Sequence, residues 1–215
     1  MNIYYYDVAK RIFDIAGSIV LGIMFLPVCL VAAIAIKMTS PGPVFADTPE
    51  RVGKEGKEFK MYKFRSMVIN AHNMLRNDPK YKDLYKQYKD GSYKLRKDPR
   101  VTLVGKFIRK HSIDELPQII NILKGDMSLI GPRAYYPDEL REQQKKYPST
   151  KVLVKEVLSI RPGLTGEWQV SGRSEVNFDK RIAIDAAYAR RRSLQHDVRI
   201  LLKTPAAMIT GKGAI

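Results

Sequence analysis

The pattern of hydrophobic and polar positions divides the chain into an apolar N-terminal segment and a mixed, basic remainder. Residues 15–36, IAGSIVLGIMFLPVCLVAAIAI, carry no charge and are long enough for a membrane helix. Pro27 lies near the middle of this segment, where a proline removes a backbone N–H and kinks a helix. The breaker-rich stretch TSPGPVF follows. We therefore predict a membrane-anchoring helix over 1–40 and a separate, more polar domain over 41–215.

Basic residues on both sides of the apolar segment restrict how it meets a membrane. Lys10 and Arg11 precede the segment, and Lys37 begins a second basic flank after it. Basic flanks prefer the cytoplasmic side, and a single span cannot place both flanks there. A re-entrant segment broken at Pro27 can, so we favour it over a transmembrane span. A cleaved signal peptide is a third alternative, but the apolar run is long for one and Pro27 interrupts it.

The remainder predicts an α+β fold that is mainly α-helical. The stretch VFADTPERVGKEGKEFKMYKFRSM predicts a small β-hairpin with GKEGK as its turn. The spacing of Leu116, Ile119, Ile120 and Leu123 predicts a helix with one apolar face, which ends at Gly125. Stretch 68–99 predicts a solvated helix or one on the membrane surface, and 161–173 predicts a loop with a short strand. Further helices are predicted over 137–146, 178–192 and 197–208, and the last is amphipathic, bends at Pro205 and suits a membrane interface.

The composition indicates anionic partners. The formal charge is +16, which favours binding to nucleic acid, anionic membrane lipid or phosphorylated substrates. Cys29 is the single cysteine, so no disulfide forms within one chain and a reducing compartment is expected. The apolar segment and the lack of a recognised nucleic-acid motif argue against nucleic acid as the partner.

Asp114 and Glu115 are neighbours in the stretch HSIDELPQ. With Asp114 as the N-cap of a helix, Pro117 becomes the third helical residue, where a proline costs no hydrogen bond. The stretch also suits chemistry on phosphate, since carboxylates bind Mg²⁺ and nearby guanidinium groups bind oxyanions. An aspartate can attack phosphorus itself, and it is already ionised at neutral pH. The sequence has no G-x-S-x-G motif to support a hydrolytic triad.

Four ordered motifs resemble the bacterial sugar transferases, the monotopic polyprenyl-phosphate sugar-1-phosphate transferases. They are KMYKFRSM, HSIDELPQIINILKGDMSLIGPR, RPGLTGEWQVSGRSEV and IDAAYARRRSLQHDVRILLKT, and with the membrane segment they extend to about Thr204. The resemblance implies a re-entrant membrane helix, a UDP-sugar donor, Mg²⁺ and an undecaprenyl phosphate acceptor. It also implies a location on the cytoplasmic face of the bacterial inner membrane. Some relatives carry further membrane helices and a further domain, and the chain resembles the minimal catalytic form.

The resemblance assigns roles to particular residues. Asp114 is implied to attack the sugar-bearing phosphate of the donor, so that UMP leaves and a covalent phosphosugar-enzyme forms. Glu115 is implied to help Asp114 hold Mg²⁺. Arg133 and Arg161 fall on family motifs and are candidates for phosphate contacts. Further candidates for phosphate contacts are Arg109, Lys60, Lys63 and Arg173.

The expected function is therefore the transfer of a hexose-1-phosphate to undecaprenyl phosphate. This would be the first membrane step of exopolysaccharide, capsule, O-antigen or glycoprotein glycan synthesis. The stretch SGRSEV favours galactose or glucose as the sugar, and a homodimer is left open. Two departures from many relatives stand out: Leu26 precedes the membrane proline where they have serine, and Ala134 follows Arg133 where they have proline. The alternatives are a basic nucleic-acid-binding protein and a catalytically inactive membrane-surface scaffold.

Overall fold

The computed structural model of the protein describes residues 3–90, 93, 95, 97–171 and 177–210, so that Arg173 lies outside the described residues. The described chain is mainly helical with two small sheets, as the sequence predicts. Short 3-10 helices link several elements, at Lys54–Gly56, Pro79–Tyr81, Ile113–Gln118 and Pro148–Thr150. The main elements are α1 (Ile3–Thr39), β1 (Arg51–Val52), β2 (Glu58–Phe59), α2 (Ala71–Asn77), α3 (Lys82–Asp90), α4 (Leu103–Lys110), α5 (Ile119–Lys124), β3 (Ser128–Ile130), α6 (Pro137–Lys146), α7 (Lys151–Val157), β4 (Gly163–Thr165), α8 (Glu167–Ser171), α9 (Phe178–Arg191) and α10 (Leu194–Thr210).

Helix α1 lies along the rest of the protein. It runs without interruption through Pro27, and over Tyr5–Thr39 it is long and apolar enough to cross a membrane. One face contacts α4, α5, β3, α10 and the 3-10 helix Ile113–Gln118. Its buried residues lie near the two ends of the helix: Tyr6, Lys10, Asp14 and Ser18, then Ala32 and Ile36. The remaining faces of α1 expose large apolar side chains along most of its length. This combination suits a helix that meets protein on one face and lipid on the others.

Polar contacts hold the N-terminal third of α1 in place. The buried Asp14 carboxylate accepts hydrogen bonds from Lys10 Nζ at 2.6 Å and from the backbone N–H of Leu129 at 3.1 Å. The Tyr6 hydroxyl donates to the buried Asp197 of α10 at 3.1 Å. Because a buried carboxylate needs partners, these contacts fix both the rotation and the height of α1 on the domain.

The predicted hairpin is confirmed. Strands β1 and β2 pair antiparallel, and the turn between them has left-handed backbone conformations at Glu55 (φ 59°) and Gly56 (φ 80°). Strands β3 and β4 form a second, parallel pair. Here a Cβ on Gly163 would lie 2.1 Å from the backbone nitrogen of Gly131, so these two segments touch backbone to backbone.

The helix predicted around Leu116 is present, but its apolar face is partly wrong. It begins as the 3-10 helix Ile113–Gln118, continues as α5 and ends at Gly125, whose φ of 93° is a common helix stop. Ile122 is fully buried in the central core, whereas Ile120 and Leu123 are exposed. The change from 3-10 to α geometry alters the rotation per residue, so a single 3.6-residue period does not describe the whole segment.

The other predicted helices appear with small differences. Helices α6 and α9 match their predicted ranges, and α10 begins three residues earlier than predicted. Helix α8 was not predicted, because 161–173 was expected to form loop and strand. Stretch 68–99 contains α2 and α3, and α3 exposes one face, but Tyr88 and Tyr93 are buried together in a small core of their own. The ring of Tyr88 contacts that of Tyr93 across the turn that follows α3. The helical spacing of the tyrosines does not predict this contact.

Candidate active site

The carboxylate pair lies on the 3-10 helix Ile113–Gln118, and the predicted N-cap at Asp114 is wrong. The residue before the helix is Ser112, which has a φ of 55°, and Asp114 is the second helical residue. In a 3-10 helix the N–H of Pro117 would bond to the Asp114 carbonyl, but proline has none. The backbone N–H of Phe64 donates to that carbonyl instead, at 3.0 Å. Because of the proline, the Asp114 carbonyl has no partner within the helix and is free to accept from the extended segment 60–65.

Asn121 fastens the same extended segment from a second side. Its side chain is fully buried, accepts from the backbone N–H of Tyr62 at 2.9 Å and donates to the Lys60 carbonyl at 2.9 Å. Backbone contacts at three positions thus hold segment 60–65 against the helix that carries the pair. This fixes which of its side chains point to Asp114 and Glu115.

Lys63 is the side chain that segment 60–65 presents to the pair. Its Nζ lies 2.6 Å from Glu115 Oε1 and 3.8 Å from Asp114 Oδ2. Lys60 points elsewhere, with an exposed side chain 3.5 Å from Asp47. The reason is the alternation of an extended chain, in which residues an odd number apart face opposite sides. Of the two predicted lysines, the structure brings only Lys63 to the pair.

Asp114 sits in an environment that opposes its charge. Only 7% of the residue is exposed. Burial raises the pKa of the Asp114 carboxyl to about 6; the Glu115 charge adds to this, while Lys63 and Arg109 oppose it. At pH 7 most of Asp114 is still ionised, and a carboxylate stripped of water is a better nucleophile than a hydrated one. A buried carboxyl with a perturbed pKa in a cavity is a candidate catalytic group.

Asp114 and Glu115 open into a cavity of about 1110 Å³. Three of the predicted phosphate-binding residues, Lys63, Arg109 and Arg133, line it together with the pair. Arg161 does not line the cavity, and its Nε donates to the Gly125 carbonyl at 2.8 Å. Lys60 is also absent from the lining. Residues that line the cavity and were not predicted include Arg51, Tyr136 and Trp168.

Arg133 is held with unused hydrogen-bonding capacity. Its backbone N–H donates to Asp185 of α9 at 3.2 Å, and Asp185 also accepts from the Tyr135 hydroxyl at 2.9 Å. The guanidinium carbon lies 5.5 Å from the centroid of the buried Trp168 ring. The buried Nε has no hydrogen-bond partner among the described residues. A positioned guanidinium with an unpaired N–H suits an oxyanion ligand.

Arg51 and Tyr136 form a second basic feature of the cavity. The Arg51 guanidinium carbon lies 3.3 Å from the centroid of the Tyr136 ring, and its Nη1 donates to the Ala134 carbonyl at 3.0 Å. Burial raises the pKa of the Tyr136 phenol, but Arg51, Lys63 and Arg133 together bring it below its usual value. No sequence signal marks Arg51, which lies in the hairpin. Tyr136 directly follows the GPRAY stretch, which contains Arg133 and is the sequence signal nearest to it.

The pair offers two carboxylates to a divalent cation. No cluster of three or more His, Cys, Asp or Glu side chains occurs in the part of the chain that the structure describes. Mg²⁺ commonly takes one or two carboxylates and completes its shell with substrate phosphates and water. The ammonium of Lys63 lies 2.6 Å from Glu115 Oε1, so a metal ion at the pair would share these carboxylates with Lys63. Asp114 and Glu115 therefore fit a Mg²⁺ that shares its ligands with a phosphorylated substrate.

The fold and the site together define a class of protein. A buried carboxylate pair in a basic cavity, beside a helix apolar enough for lipid, is typical of an enzyme that acts on phosphorylated substrates at a membrane. The family model for the bacterial sugar transferases matches residues 5–211. The chain belongs to this family, which confirms the resemblance carried by the four motifs.

Curated relatives cover almost all of the chain. An undecaprenyl-phosphate galactose phosphotransferase of Salmonella typhimurium is 43% identical over 95% of the chain, which spans 41% of that relative. The exopolysaccharide production protein ExoY of Rhizobium meliloti is 40% identical over 96% of the chain and 88% of the relative. A UDP-glucose:undecaprenyl-phosphate glucose-1-phosphate transferase of Caulobacter vibrioides is 36% identical over 97% of the chain and 72% of the relative. The chain thus spans less than half of the first of these.

Proposed function

We propose that this protein transfers a hexose-1-phosphate from a UDP-sugar to undecaprenyl phosphate and releases UMP. The observation that carries the proposal is the buried Asp114 carboxylate, next to Glu115 and Lys63 in a cavity lined by Arg109 and Arg133. The names of the relatives support this choice of acceptor, and they include galactose and glucose transferases. Galactose or glucose is the sugar we propose, in the first membrane step of a surface polysaccharide.

Asp114 is the proposed nucleophile. One of its carboxylate oxygens attacks the sugar-bearing phosphorus, the bond from that phosphorus to the bridging oxygen breaks, and UMP leaves with the electron pair. A phosphate oxygen of the acceptor then attacks the same phosphorus, and the bond to Asp114 breaks to restore the carboxylate. Both attacking groups are anions, so neither step needs a base. The work of the site is to bring anions together, and Lys63, Arg109 and Arg133 supply positive charge for this.

Asp114 and Glu115 are the residues proposed to hold Mg²⁺. When bound there, the ion would offset the negative charge of the donor diphosphate and of the leaving UMP. Arg51 and Arg133 each have a buried Nε without a partner among the described residues. We assign these two guanidinium groups to the diphosphate of the donor, because they line the cavity and are already ordered by aromatic rings.

The packing of α1 supports a monotopic attachment on the cytoplasmic face, although α1 is not broken at Pro27 as the re-entrant hypothesis predicts. Tyr6 near one end contacts α10, and Ile36 near the other end packs with Phe64 and Ile108. These contacts are thirty residues apart on one helix, or about 45 Å. A helix that crossed the bilayer upright would draw the basic domain into the hydrocarbon, which is about 30 Å thick. Anionic lipid beneath the domain complements the charge of +16.

The proposed reaction predicts release of UMP in the presence of Mg²⁺ and undecaprenyl phosphate. With a panel of UDP-sugars, we expect UDP-galactose or UDP-glucose to release UMP fastest and to give a labelled lipid product. Removal of the divalent cation with EDTA should lower the rate by at least about 10²-fold, because the charge of the diphosphate is then unopposed. Absence of UMP release with every donor would overturn the proposal. Salt-sensitive binding to DNA in its place would favour the nucleic-acid alternative.

The monotopic attachment predicts that both ends of α1 face the cytoplasm. In a Cys29→Ala background, single cysteines at Asn2 and Thr39 should react with a membrane-impermeant maleimide in inverted vesicles, and neither should react in intact spheroplasts. A cysteine placed in the exposed hairpin at Glu55 serves as the cytoplasmic control. Labelling of the two ends from opposite sides would establish a transmembrane span.

A further inference from the structure

The active-site cavity extends beyond the basic part of its wall. Around the carboxylate pair the wall carries Lys63, Arg109 and Arg133. A second part of the wall comes from α2, from α3 and the turn after it, and from the residue before α6. It carries rings in place of excess charge. We call this part the aromatic lobe, and it consists of His72, Tyr88, Tyr93 and Tyr136.

Ring contacts make the aromatic lobe one continuous surface. The ring centroid of Tyr136 lies 6.4 Å from that of His72 and 6.3 Å from that of Tyr93. Tyr88 and Tyr93, whose centroids are 5.1 Å apart, are buried in the small core that α2 and α3 share. A ligand in the lobe therefore meets a wall that is already ordered and that excludes water on one side.

The charges around the aromatic lobe are matched in pairs. Arg100 donates to the two carboxylate oxygens of Asp98 at 2.6 and 2.8 Å, and Arg76 forms an ion pair with Asp138. Burial lowers the pKa of His72 to about 4, and the nearby charge of Arg76 adds to this effect. The imidazole is therefore neutral at pH 7. In contrast to the basic wall around the pair, the lobe suits a neutral ligand.

His72 supplies hydrogen-bonding groups to the aromatic lobe. A neutral imidazole has one N–H donor and one acceptor nitrogen, and neither is hydrogen-bonded within the part of the chain that the structure describes. The backbone at this point is fixed, because Arg100 Nη1 donates to the carbonyl of the preceding Ala71 at 2.6 Å. A donor and an acceptor held beside aromatic rings suit a ligand that has both hydroxyl groups and an apolar face.

Tyr136 joins the aromatic lobe to the phosphate-binding part of the cavity. Its ring lies 3.3 Å from the guanidinium carbon of Arg51, one of the two groups assigned to the donor diphosphate. The other side of the same residue belongs to the lobe, beside His72. A neutral group attached directly to the bound diphosphate can therefore enter the lobe. The donor has two such groups, the uridine and the hexose.

The hexose fits the aromatic lobe better than the uridine does. In the proposed reaction UMP leaves after the first step, whereas the hexose stays bound through the phosphate on Asp114 until the acceptor arrives. A lobe walled by the buried Tyr88 and Tyr93 suits the group that stays. A hexose also presents hydroxyl groups for hydrogen bonds and C–H faces for aromatic rings.

We propose that the aromatic lobe binds the hexose of the donor, with a ring nitrogen of His72 hydrogen-bonded to one sugar hydroxyl. This inference rests on the proposed function and adds the residues that select the sugar. His72 is then a specificity-determining residue that is contributed by α2, outside the stretch that carries the carboxylate pair.

Two neighbouring residues of α2 provide a matched test. His72→Phe keeps a ring beside Tyr136 but removes both ring nitrogens. Asn73→Phe introduces the same side chain at the next position, which is exposed and does not line the cavity. His72→Asn and His72→Gln each place an amide close to the position of one ring nitrogen. All four variants are assayed with the faster of UDP-galactose and UDP-glucose, and with its 2-, 3-, 4- and 6-deoxy analogues.

We expect His72→Phe to lower kcat/KM for the complete donor by about tenfold, because one sugar hydroxyl loses its hydrogen bond. The deoxy donor that lacks this hydroxyl should react equally fast with the wild type and His72→Phe, whereas the other analogues should keep the tenfold difference. Asn73→Phe should match the wild type with every donor, and one of the two amide variants should restore most of the lost activity. The same loss with every donor, or no loss with the complete donor, would overturn the inference.

Inhibition by UMP distinguishes the hexose from the uridine. UMP competes with the donor but carries no hexose, so its inhibition constant should be the same in the wild type and in His72→Phe. An inhibition constant that rises as far as kcat/KM falls would place the uridine in the aromatic lobe and contradict the proposal. Absence of UMP release by the wild type with every complete donor would instead overturn the proposed function.

Discussion

Replacement of Asp114 by asparagine is expected to abolish turnover. The variant keeps the shape of the side chain but cannot form the bond to phosphorus, so the rate should fall by at least about 10³-fold. Burial disfavours the charged form of Asp114, which has a pKa of about 6 in this site. The neutral amide should therefore leave the unfolding temperature equal to or above that of the wild type. Rates of UMP release and thermal unfolding curves measure the two effects.

Asp126→Asn is the matched control for this change. Asp126 is a half-buried carboxylate that accepts from Asn121 Nδ2 at 3.1 Å and does not line the cavity. It should retain near wild-type UMP release. With a labelled UDP-sugar and no acceptor, the wild type and Asp126→Asn should gain the mass of one hexose phosphate, whereas Asp114→Asn should not. Full activity of Asp114→Asn would remove Asp114 as the nucleophile.

The second large effect is expected for Lys63→Met. Lys63 lowers the pKa of Asp114, which burial raises to about 6, so loss of the ammonium should raise this pKa further. The nucleophile must be ionised, so activity falls as the pH drops through the pKa. The acid limb of kcat/KM for the donor should therefore lie at higher pH in Lys63→Met than in the wild type. The lost positive charge should also lower kcat/KM by about 10²-fold at pH 7.

Lys60→Met provides the comparison for Lys63→Met. Lys60 comes from the same extended segment, but its side chain is exposed and lies near Asp47. We expect the wild-type acid limb and less than about a threefold loss of activity, as is usual for an exposed ion pair. An unchanged acid limb in Lys63→Met, or equal effects of the two variants, would contradict the placement of Lys63 beside Asp114.

The elements that could be predicted are those decided by local pattern. The hairpin turn, the helix stop at Gly125 and the amphipathic helices follow from nearest neighbours in the chain. The exceptions have physical causes. Pro117 suggested a helix start at Asp114, but the missing N–H is compensated by Phe64, which is fifty residues away. Tyr88 and Tyr93 belong to a stretch predicted as a solvated or membrane-surface helix, but they are buried together. Pairings of this kind depend on three-dimensional proximity, which a local pattern does not contain.

In the candidate site, too, some features followed from local pattern and others depended on the folded structure. Asp114 and Glu115 stood out in the sequence as a carboxylate pair among basic residues, and the family motifs supplied a role for them. Of the basic candidates, Lys63, Arg109 and Arg133 reach the cavity, whereas Arg161 bonds to Gly125 and Lys60 faces away. Arg51 reaches the cavity from the hairpin and carries no motif. Charge in the sequence indicates an anionic ligand, but the backbone path decides which cations meet it.

The sequence by itself determined an apolar anchor with two basic flanks, the family, and the pair at Asp114 and Glu115. These features depend on residue identity and short-range spacing. The tertiary structure alone decided which lysine neutralises the pair, how burial raises the pKa of Asp114, and that Val20 and Met24 of α1 line the same cavity as the pair. Burial and the direction of a side chain arise when distant segments pack together, so they exist as properties of the folded chain and not of any one stretch of it.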